Sequence, residues 1–391
     1  MRDALRYLNN ASVGLTSPGV SARLRDWLAA EAAAWPQQRV ESADWDLQAT
    51  RERAAALIGA PATQLALAES TSLAMARALA TLSLRGKRVL VAPGAWASDI
   101  VMLKRFGGEP PRALELLATQ ADGSLDLAAI GAQLGEDVAA ILVPLVTSIE
   151  GRRYDVEGLG ALARPAHCPL IVDAAQGLGQ TPIDVRRLGC DVLVATTRKW
   201  LRGPRGMALA YFSPAALASM RPNPLAEMAG LRLDAASQRF LDQPQARRFD
   251  ASDVSILNQL SLTAAIDELT AIGMNPLREH VLGLAGLAYE LARTQGLTPL
   301  LATPESGIAT LHLPEAQPLA VAQRLSAAGI AAKVCNIAAE PLNVRLPTTG
   351  ALVRLAPHWH NDADDIRAAL TALAGDRPDT ATATAQPVSL P

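Results

Sequence analysis

The stretch LIVDAAQ at residues 170–176 decides the fold class, because a run of apolar residues ends abruptly in the acid Asp173. A second apolar run at 192–195 leads into TTRKW at 196–200, which contains Lys199. Short continuous apolar runs are typical of strands that are buried on both faces of a parallel sheet. Ligands of open α/β sheets bind beyond the carboxyl ends of the strands, so we expect Asp173 and Lys199 to face one crevice.

Similar apolar runs lie on both sides of this pair along the chain. They occur at 65–67, 88–91, 139–143 and 207–212, and stretches with helical spacing separate most of them. Strands that alternate with helices indicate an α/β fold, in which helices cover both faces of a mostly parallel sheet.

The pattern changes in the last third of the chain. An amphipathic helix is predicted at 256–272, and strand-like stretches at 307–313, 330–334 and 352–355 alternate with further helical ones. This order indicates a second, smaller α+β domain. The sequence therefore predicts an N-terminal segment at 1–20 that contributes to the substrate site, a large ligand-binding domain at 21–253, a small C-terminal domain at 254–375 and a disordered tail at 376–391.

Composition excludes several classes of function. The 391 residues are 50% hydrophobic and 19% charged, and the formal net charge of −2 gives no field that would gather nucleic acid. The longest apolar runs are far shorter than the roughly 18 residues of a membrane helix. Because the first residues also lack the basic-then-apolar order of a secretory signal, we expect a cytoplasmic protein with a small-molecule substrate.

Cysteine and lysine are both scarce. Cys168, Cys190 and Cys335 are too few and too widely spaced for a disulfide framework or a zinc site, so free thiols and no metal are expected. Arginine supplies most of the positive charge. Chemistry that needs a primary amine therefore has four candidates, which are Lys87, Lys104, Lys199 and Lys333.

The predicted juxtaposition of Asp173 and Lys199 suits one cofactor, pyridoxal phosphate. A carboxylate against a pyridine nitrogen keeps the ring protonated and able to absorb electrons. A lysine that holds the cofactor aldehyde as a Schiff base supplies both an anchor and, once released, a general base. Taken singly, an acid after a strand is more often a turn residue and a lysine is more often exposed, so the combination carries the prediction.

The stretch TTRKWLRGPRG at 196–206 resembles the Ser-x-His-Lys-x-x-x-Gly-Pro-x-Gly signature of the class V aminotransferase family of fold-type I enzymes. This family includes cysteine desulfurases, isopenicillin epimerases and several C–S lyases. The resemblance extends from YLNNA at 7–11 to Asn361, and it implies a seven-stranded, mostly parallel sheet and a homodimer. Thr196 and Arg198 replace the usual serine and histidine, and both can still donate to a phosphate.

The resemblance also implies roles for other residues near the cofactor. Gln176 matches the residue that contacts the ring hydroxyl, and Trp96 matches the position of the aromatic or histidine that stacks on the ring, although a core tryptophan is the alternative. Thr71 and Ser72 fall at a predicted helix N-terminus, where hydroxyls can bind the phosphate, cap the helix or do both.

On the substrate side, Arg354 resembles the arginine that binds the α-carboxylate of an amino acid, a role that suits a planar bidentate donor. Asn10 and Ser148 are assigned to the same side, although relatives often have asparagine at the position of Ser148. Asp253 stands where relatives carry a Gly-Thr pair that reaches the phosphate in the partner subunit. An acid is a poor phosphate ligand, so Asp253 receives no role.

Transamination, racemisation and β-elimination use the same core residues, so the reaction is less defined than the cofactor. In IAAEP at 337–341 an alanine stands where cysteine desulfurases carry their thiol, and Cys335 lies three residues earlier. The signature is similar to that of ergothioneine-pathway sulfoxide lyases. We therefore expect C–S β-elimination on a cysteine conjugate or its sulfoxide, with an aminotransferase or epimerase as the alternative. A desulfurase is less favoured because the loop cysteine is absent, and a non-catalytic regulator is less favoured because no DNA-binding module is evident.

Overall fold

The computed structural model describes residues 5–33, 35, 47–84, 87–106, 113–252 and 254–374. Asp253 and the predicted tail at 376–391 lie outside the described residues. No helix in these ranges is long and apolar enough to cross a membrane. The strands, numbered in chain order, are β1 Arg6–Tyr7, β2 Leu65–Ala68, β3 Arg88–Val91, β4 Ala113–Leu116, β5 Val138–Pro144, β6 Leu170–Asp173, β7 Val192–Thr196, β8 Ala208–Phe212, β9 Leu231–Asp234, β10 Arg239–Asp242, β11 Thr298–Pro299, β12 Ala309–Leu313, β13 Ile330–Ala331, β14 Lys333–Val334 and β15 Ala351–Leu355.

A seven-stranded sheet forms the centre of the larger part of the chain, with strand order β2-β8-β7-β6-β5-β3-β4. Its pairs are parallel except those of β8, which runs antiparallel to β2 and β7. Separate apolar clusters fill the two faces of the sheet, so β5 and β7 are buried along their whole length. This explains their continuous apolar sequences and confirms the predicted fold class.

Helices cover both faces of this sheet, and further helices occur in the C-terminal part of the chain. The helix Ile256–Ile272 has the bounds that its sequence predicts. Capping hydroxyls or carboxylates mark several starts, such as Ser255 and Asp155, each of which accepts from a backbone N–H three residues on. The described helices are Pro18–Ala32, Leu47–Leu57, Thr71–Thr81, Ala97–Phe106, Leu127–Gln133, Val156–Ala163, Val185–Leu188, Pro214–Ser219, Ile256–Ile272, Met274–Thr294, Pro318–Ala327 and Ala363–Ala374.

The last part of the chain forms a four-stranded antiparallel sheet of order β11-β12-β15-β14. Residues of Met274–Thr294 and Ala363–Ala374 pack with β12 and β15 in one apolar cluster. The N-terminal segment joins this part, since β1 pairs in parallel with β13 and Asn9 bridges to Ala356. The predicted domain boundaries stay predictions, but the two sheets occupy the two stretches in which they were expected.

Three details differ from the sequence prediction. The stretch 330–334 forms two short strands with different partners, because β13 pairs with β1 and β14 pairs with β15. The polar stretch before Asp250 contains the hairpin of β9 and β10, whose residues are mostly exposed and so give no core pattern. The edge strand β4 was also missed, since it is short and only half-buried.

Candidate active site

A cavity of about 490 Å³ lies at the carboxyl ends of the parallel strands of the seven-stranded sheet. The N-terminal segment and the region of β14 and β15 complete its walls. Nearly all of the residues predicted to bind cofactor or substrate line it, as do several that were not predicted. Its lining includes Ser12, Glu69, Thr71, Ser72, Trp96, Asp99, Ser148, Asp173, Gln176, Thr196, Arg198, Lys199, Lys333, Cys335, Ala339 and Arg354.

Asp173 and Lys199 reach the cavity from neighbouring parallel strands. Asp173 is the last residue of β6, and its Oδ1 accepts from the backbone N–H of Ala175 at 2.8 Å. Lys199 follows β7 by three residues. Burial lowers the pKa of Lys199 to about 8, against the attraction of Asp173, which raises it. About a tenth of the amine is therefore neutral and nucleophilic at pH 7, far more than for a lysine with its ordinary pKa.

Two glycines fix the turn that carries Lys199. The N–H of Arg202 donates to the Lys199 carbonyl at 3.0 Å, and Arg202 adopts a left-handed φ of 59°. A Cβ on Gly14 would lie 2.2 Å from the Lys199 carbonyl oxygen, and one on Gly179 would lie 2.3 Å from the backbone nitrogen of Leu201. Because only glycine fits at either position, the N-terminal segment and the loop after β6 hold the lysine backbone closely.

Trp96 stands opposite this lysine across the cavity. It precedes the helix Ala97–Phe106, and 37% of its surface is exposed. The Lys199 Nζ lies 5.8 Å from the centroid of its ring. A large aromatic side chain that remains exposed beside a buried amine provides a face on which a flat ring can stack.

Hydroxyl groups line the part of the cavity next to the helix Thr71–Thr81. The capping residue is Ser70, whose Oγ accepts from the Leu73 N–H at 3.1 Å. Capping by Thr71 or Ser72, the alternative considered from the sequence, is therefore not what the structure shows. Both residues line the cavity, where the helix N-terminus and the two hydroxyls can bind a phosphate.

Arg198 and Thr196 line the same cavity beside Lys199. An Nη1 N–H of Arg198 donates to the carbonyl of Ser12, which ties the N-terminal segment to the cavity wall. Burial and the nearby Arg205 lower the pKa of Arg198. No salt bridge to an acid forms at Arg198 within the described part of the chain, so its charge is available to an anionic ligand.

Gln176, Ser148 and Arg354 form one hydrogen-bond network. The Gln176 Oε1 accepts from the Trp200 Nε1 at 2.9 Å, and its Nε2 donates to the Ser148 Oγ at 3.1 Å. Arg354 Nη1 donates to the Ser148 carbonyl at 2.6 Å, and Nη2 donates to the Ser12 Oγ at 2.7 Å. These bonds hold the guanidinium of Arg354 in one orientation against the cavity.

The Arg354 side chain is also suited to binding an anion. Arg354 is only 4% exposed, and no described acid lies within salt-bridge distance of it. Its buried Nε has no hydrogen-bond partner. A buried guanidinium without a counter-ion is costly, and a bound carboxylate would supply the missing charge. The cavity thus offers separate cationic groups, Arg198 and Arg354, for two different anions.

Asn10 is not brought to the cavity, although the sequence placed it on the substrate side. Its side chain is fully buried, and Nδ2 donates to the Ala356 carbonyl at 2.8 Å. The contact ties the N-terminal segment to the end of β15. The neighbouring Ala11, Ser12 and Val13 line the cavity instead.

Asp99 is a buried cavity residue that the sequence analysis missed. It is 4% exposed, and it lines the cavity together with Asp173. Burial and the charge of Asp173 raise the pKa of Asp99 well above its usual range. The available signal was an acid three residues after Trp96, in the first turn of a helix, where acids are common for reasons unrelated to a site.

Comparisons with known proteins agree with this arrangement. The family model described as aminotransferase class-V matches residues 6–369. The chain is 28% identical to the "Uncharacterized aminotransferase YcbU" of Bacillus subtilis (strain 168) over 339 residues, covering 83% of this chain and 82% of that protein. It is 26% identical to a "Probable cysteine desulfurase" of Halalkalibacterium halodurans over 287 residues, covering 72% and 69%.

Two solved structures show the same fold at low sequence identity. A cysteine desulfurase from Thermococcus onnurineus NA1 superposes with a TM-score of 0.84 at 20% identity, covering 95% of this chain and 94% of that one. The cystine C-S lyase C-DES, solved with its reaction product cysteine persulfide, superposes with a TM-score of 0.81 at 16% identity, covering 96% and 98%.

Proposed function

From the premise that this chain belongs to the class V aminotransferase family of pyridoxal-phosphate enzymes, we propose that it catalyses C–S β-elimination on a cysteine conjugate or its sulfoxide. The overall reaction breaks the Cα–H and Cβ–S bonds. It releases the sulfur fragment and, after hydrolysis, pyruvate and ammonia.

The residues that line the cavity fit pyridoxal phosphate. Lys199 would carry the cofactor, Asp173 would pair with the pyridine nitrogen, and Trp96 would stack on the ring. When bound, the cofactor supplies an electron sink that acidifies the Cα–H bond of an attached amino acid. Gln176 would contact the ring hydroxyl, and the phosphate would lie among Thr71, Ser72, Thr196 and Arg198.

Arg354 would bind the α-carboxylate of the substrate. Its guanidinium is held by Ser148 and Ser12, so its remaining N–H donors are already oriented when the substrate arrives. A planar carboxylate can accept two parallel bonds from such a group. Ser148 would lie beside the same substrate, since its hydroxyl accepts from both Arg354 and Gln176.

Lys199 would act as the base at Cα. Its pKa of about 8 leaves part of the amine neutral near neutral pH, and its Nζ lies beside the exposed ring face of Trp96. Elimination needs this base, an electron sink and a sulfur group that can leave as an anion. No second protein nucleophile is required.

The observation that favours elimination over persulfide formation is the loop that follows β14. Alanine occupies position 338, and Glu340, which is 1% exposed, fixes this loop by accepting from the Ile149 N–H at 2.7 Å. The thiol that lines the cavity belongs to Cys335, and burial raises its pKa. A protonated thiol on a fixed segment is a poor nucleophile for attack on substrate sulfur.

An aminotransferase is the second candidate, because one similar protein bears that name and the same residues would serve it. Elimination and transamination give different products. The purified protein with pyridoxal phosphate would be given S-substituted L-cysteines and their sulfoxides and, separately, L-cysteine with a thiol reductant. Pyruvate and ammonia in equal amounts over many turnovers support elimination, whereas alanine with reducible sulfur indicates a desulfurase. A keto acid without ammonia indicates transamination.

The homodimer remains a proposal that rests on the family resemblance. Sedimentation velocity of the pyridoxal-phosphate-loaded protein tests it. A species of about 82 kDa, twice the 41.0 kDa of one chain, is expected, and a species with the mass of one chain would contradict it.

A further inference from the structure

Asp99 is a second carboxyl group beside Asp173, and the function proposed above gives it no role. It lies in the first turn of the helix Ala97–Phe106, lines the cavity and is 4% exposed. Asp99 and Asp173 line the same cavity, where each carboxyl group acts on the other through its charge and as a hydrogen-bond partner. Two carboxylates can only accept hydrogen bonds, so this contact requires that one of the two carry a proton.

The surroundings of the two groups decide which of them carries it. Asp173 accepts a bond from the Ala175 N–H at 2.8 Å, and Lys199 attracts its charge. In the described part of the chain the carboxyl of Asp99 has no N–H donor, and the charged groups that act on it are Asp173 and Lys199. Burial without donors penalises the ionised form of Asp99 more than that of Asp173. The proton therefore belongs on Asp99.

We propose that Asp99 is a positioning residue that remains a carboxylic acid. Its O–H group donates a hydrogen bond to Asp173, and this bond holds the ionised carboxylate of Asp173 in one orientation toward the pyridine nitrogen. This rests on the role proposed above for Asp173. A hydrogen bond donated to a carboxylate lowers its affinity for a further proton. The proton of the Asp173–pyridine pair then stays on the ring nitrogen, where it maintains the electron sink.

Two substitutions separate the chemical role of Asp99 from its packing. Asp99→Asn has nearly the same shape, keeps an N–H donor and cannot ionise. Asp99→Leu has similar volume and no donor. Asp267→Asn serves as a matched control, because Asp267 is an exposed acid whose contact is a surface salt bridge to Arg53.

The protonation state can be read without any assay of activity. The infrared spectrum of the full chain, labelled with ¹³C-aspartate, would be recorded at neutral pH with and without pyridoxal phosphate. Wild type and Asp267→Asn are expected to show the carbonyl band of a protonated carboxylic acid, and Asp99→Asn is expected to lack it. The absence of the band from wild type would overturn the proposal.

The pH dependence of thermal stability gives a second reading. An acid whose pKa is raised in the folded state destabilises the fold as the pH rises from its ordinary value of 3.8 toward the folded value. The melting temperature of the wild type should therefore fall relative to that of Asp99→Asn as the pH increases above 4. A difference that does not change with pH would show that Asp99 is ionised in the folded protein.

The loaded enzyme then tests the link to the cofactor. Asp99→Asn should keep the visible absorbance spectrum of the wild type and its dependence on pH. Asp99→Leu should shift that spectrum and lower kcat by about 10- to 100-fold with a smaller change in KM, as expected when a supporting hydrogen bond is lost. If Asp99→Leu keeps the wild-type spectrum, Asp99 acts only through packing and the proposal is wrong.

Failure of the proposed function can be distinguished from failure of the Asp99 proposal. If the wild type formed no visible complex with pyridoxal phosphate, the function would be wrong, whereas the infrared band and the melting curves would still decide the state of Asp99. If Asp99→Leu does not fold, Asp99→Asn and the infrared measurement keep the proposal open to refutation.

Discussion

Replacement of Arg354 by glutamine should weaken substrate recognition far more than it changes the fold. The guanidinium is buried, and its described contacts are hydrogen bonds to Ser148 and Ser12 rather than a salt bridge. Glutamine keeps a polar group of similar length and removes the charge. Arg354 therefore offers a clean test of whether the cavity binds a carboxylate.

The expected loss follows from the number of bonds. A carboxylate bound by two N–H groups of Arg354 makes two hydrogen bonds with charge on both sides, each worth about 1.5–3 kcal/mol. Loss of both corresponds to about 3–6 kcal/mol, or a decrease in kcat/KM of about 10²- to 10⁴-fold. Arg354→Lys keeps the charge without the planar geometry, so its kcat/KM should lie between those of the wild type and Arg354→Gln.

The assay is steady-state release of pyruvate from an S-substituted L-cysteine sulfoxide, with Arg367→Gln as the control. Arg367 is exposed on the helix Ala363–Ala374, and its salt bridge is with Asp364 on the same helix. The control should match the wild type in both kcat/KM and melting temperature. A decrease of less than threefold for Arg354→Gln, in a protein that retains its visible spectrum, would refute carboxylate binding by this residue.

Three further predictions concern other parts of the molecule. Cys335→Ala should keep pyruvate release within about twofold of the wild type, because the thiol has no part in elimination; a larger loss of pyruvate release would show that the thiol takes part in the reaction. The rate at which the apoprotein captures pyridoxal phosphate should rise with pH and be half-maximal near 8, since the neutral amine of Lys199 attacks; a rate that does not vary between pH 6 and 9 would contradict this. Asp250→Ala should lower the free energy of unfolding in urea by about 3–5 kcal/mol, because it leaves the buried Arg51 without the carboxylate that lies 2.7 Å from its Nη2; a change below 1 kcal/mol would be inconsistent with this buried pair.

Much of the fold follows from the sequence because the central strands are buried on both faces. Continuous apolar runs end at Asp173 and before Thr196, and the structure places both residues at the same edge of the sheet. The same rule brings Thr71, Trp96 and Lys199 to one cavity, since each follows the carboxyl end of a strand or begins the next helix.

The sequence was less informative where tertiary contacts decide the outcome. Asn10 lies in a segment that borders the cavity, but the bond from its side chain to Ala356 turns it into the protein, and no local pattern encodes that contact. Asp99 resembles an ordinary acid in the first turn of a helix. Its burial against Asp173 depends on how two distant segments pack.

The most direct test of the account is to find the residue that carries the cofactor. The protein would be loaded with pyridoxal phosphate, reduced with borohydride, digested and analysed by mass spectrometry. Lys87, Lys104 and Lys333 serve as internal controls, because they are the other lysines of the chain. We expect the label on Lys199 alone and no stable label in Lys199→Ala; a label on another lysine, or an unlabelled wild-type protein, would contradict the central claim.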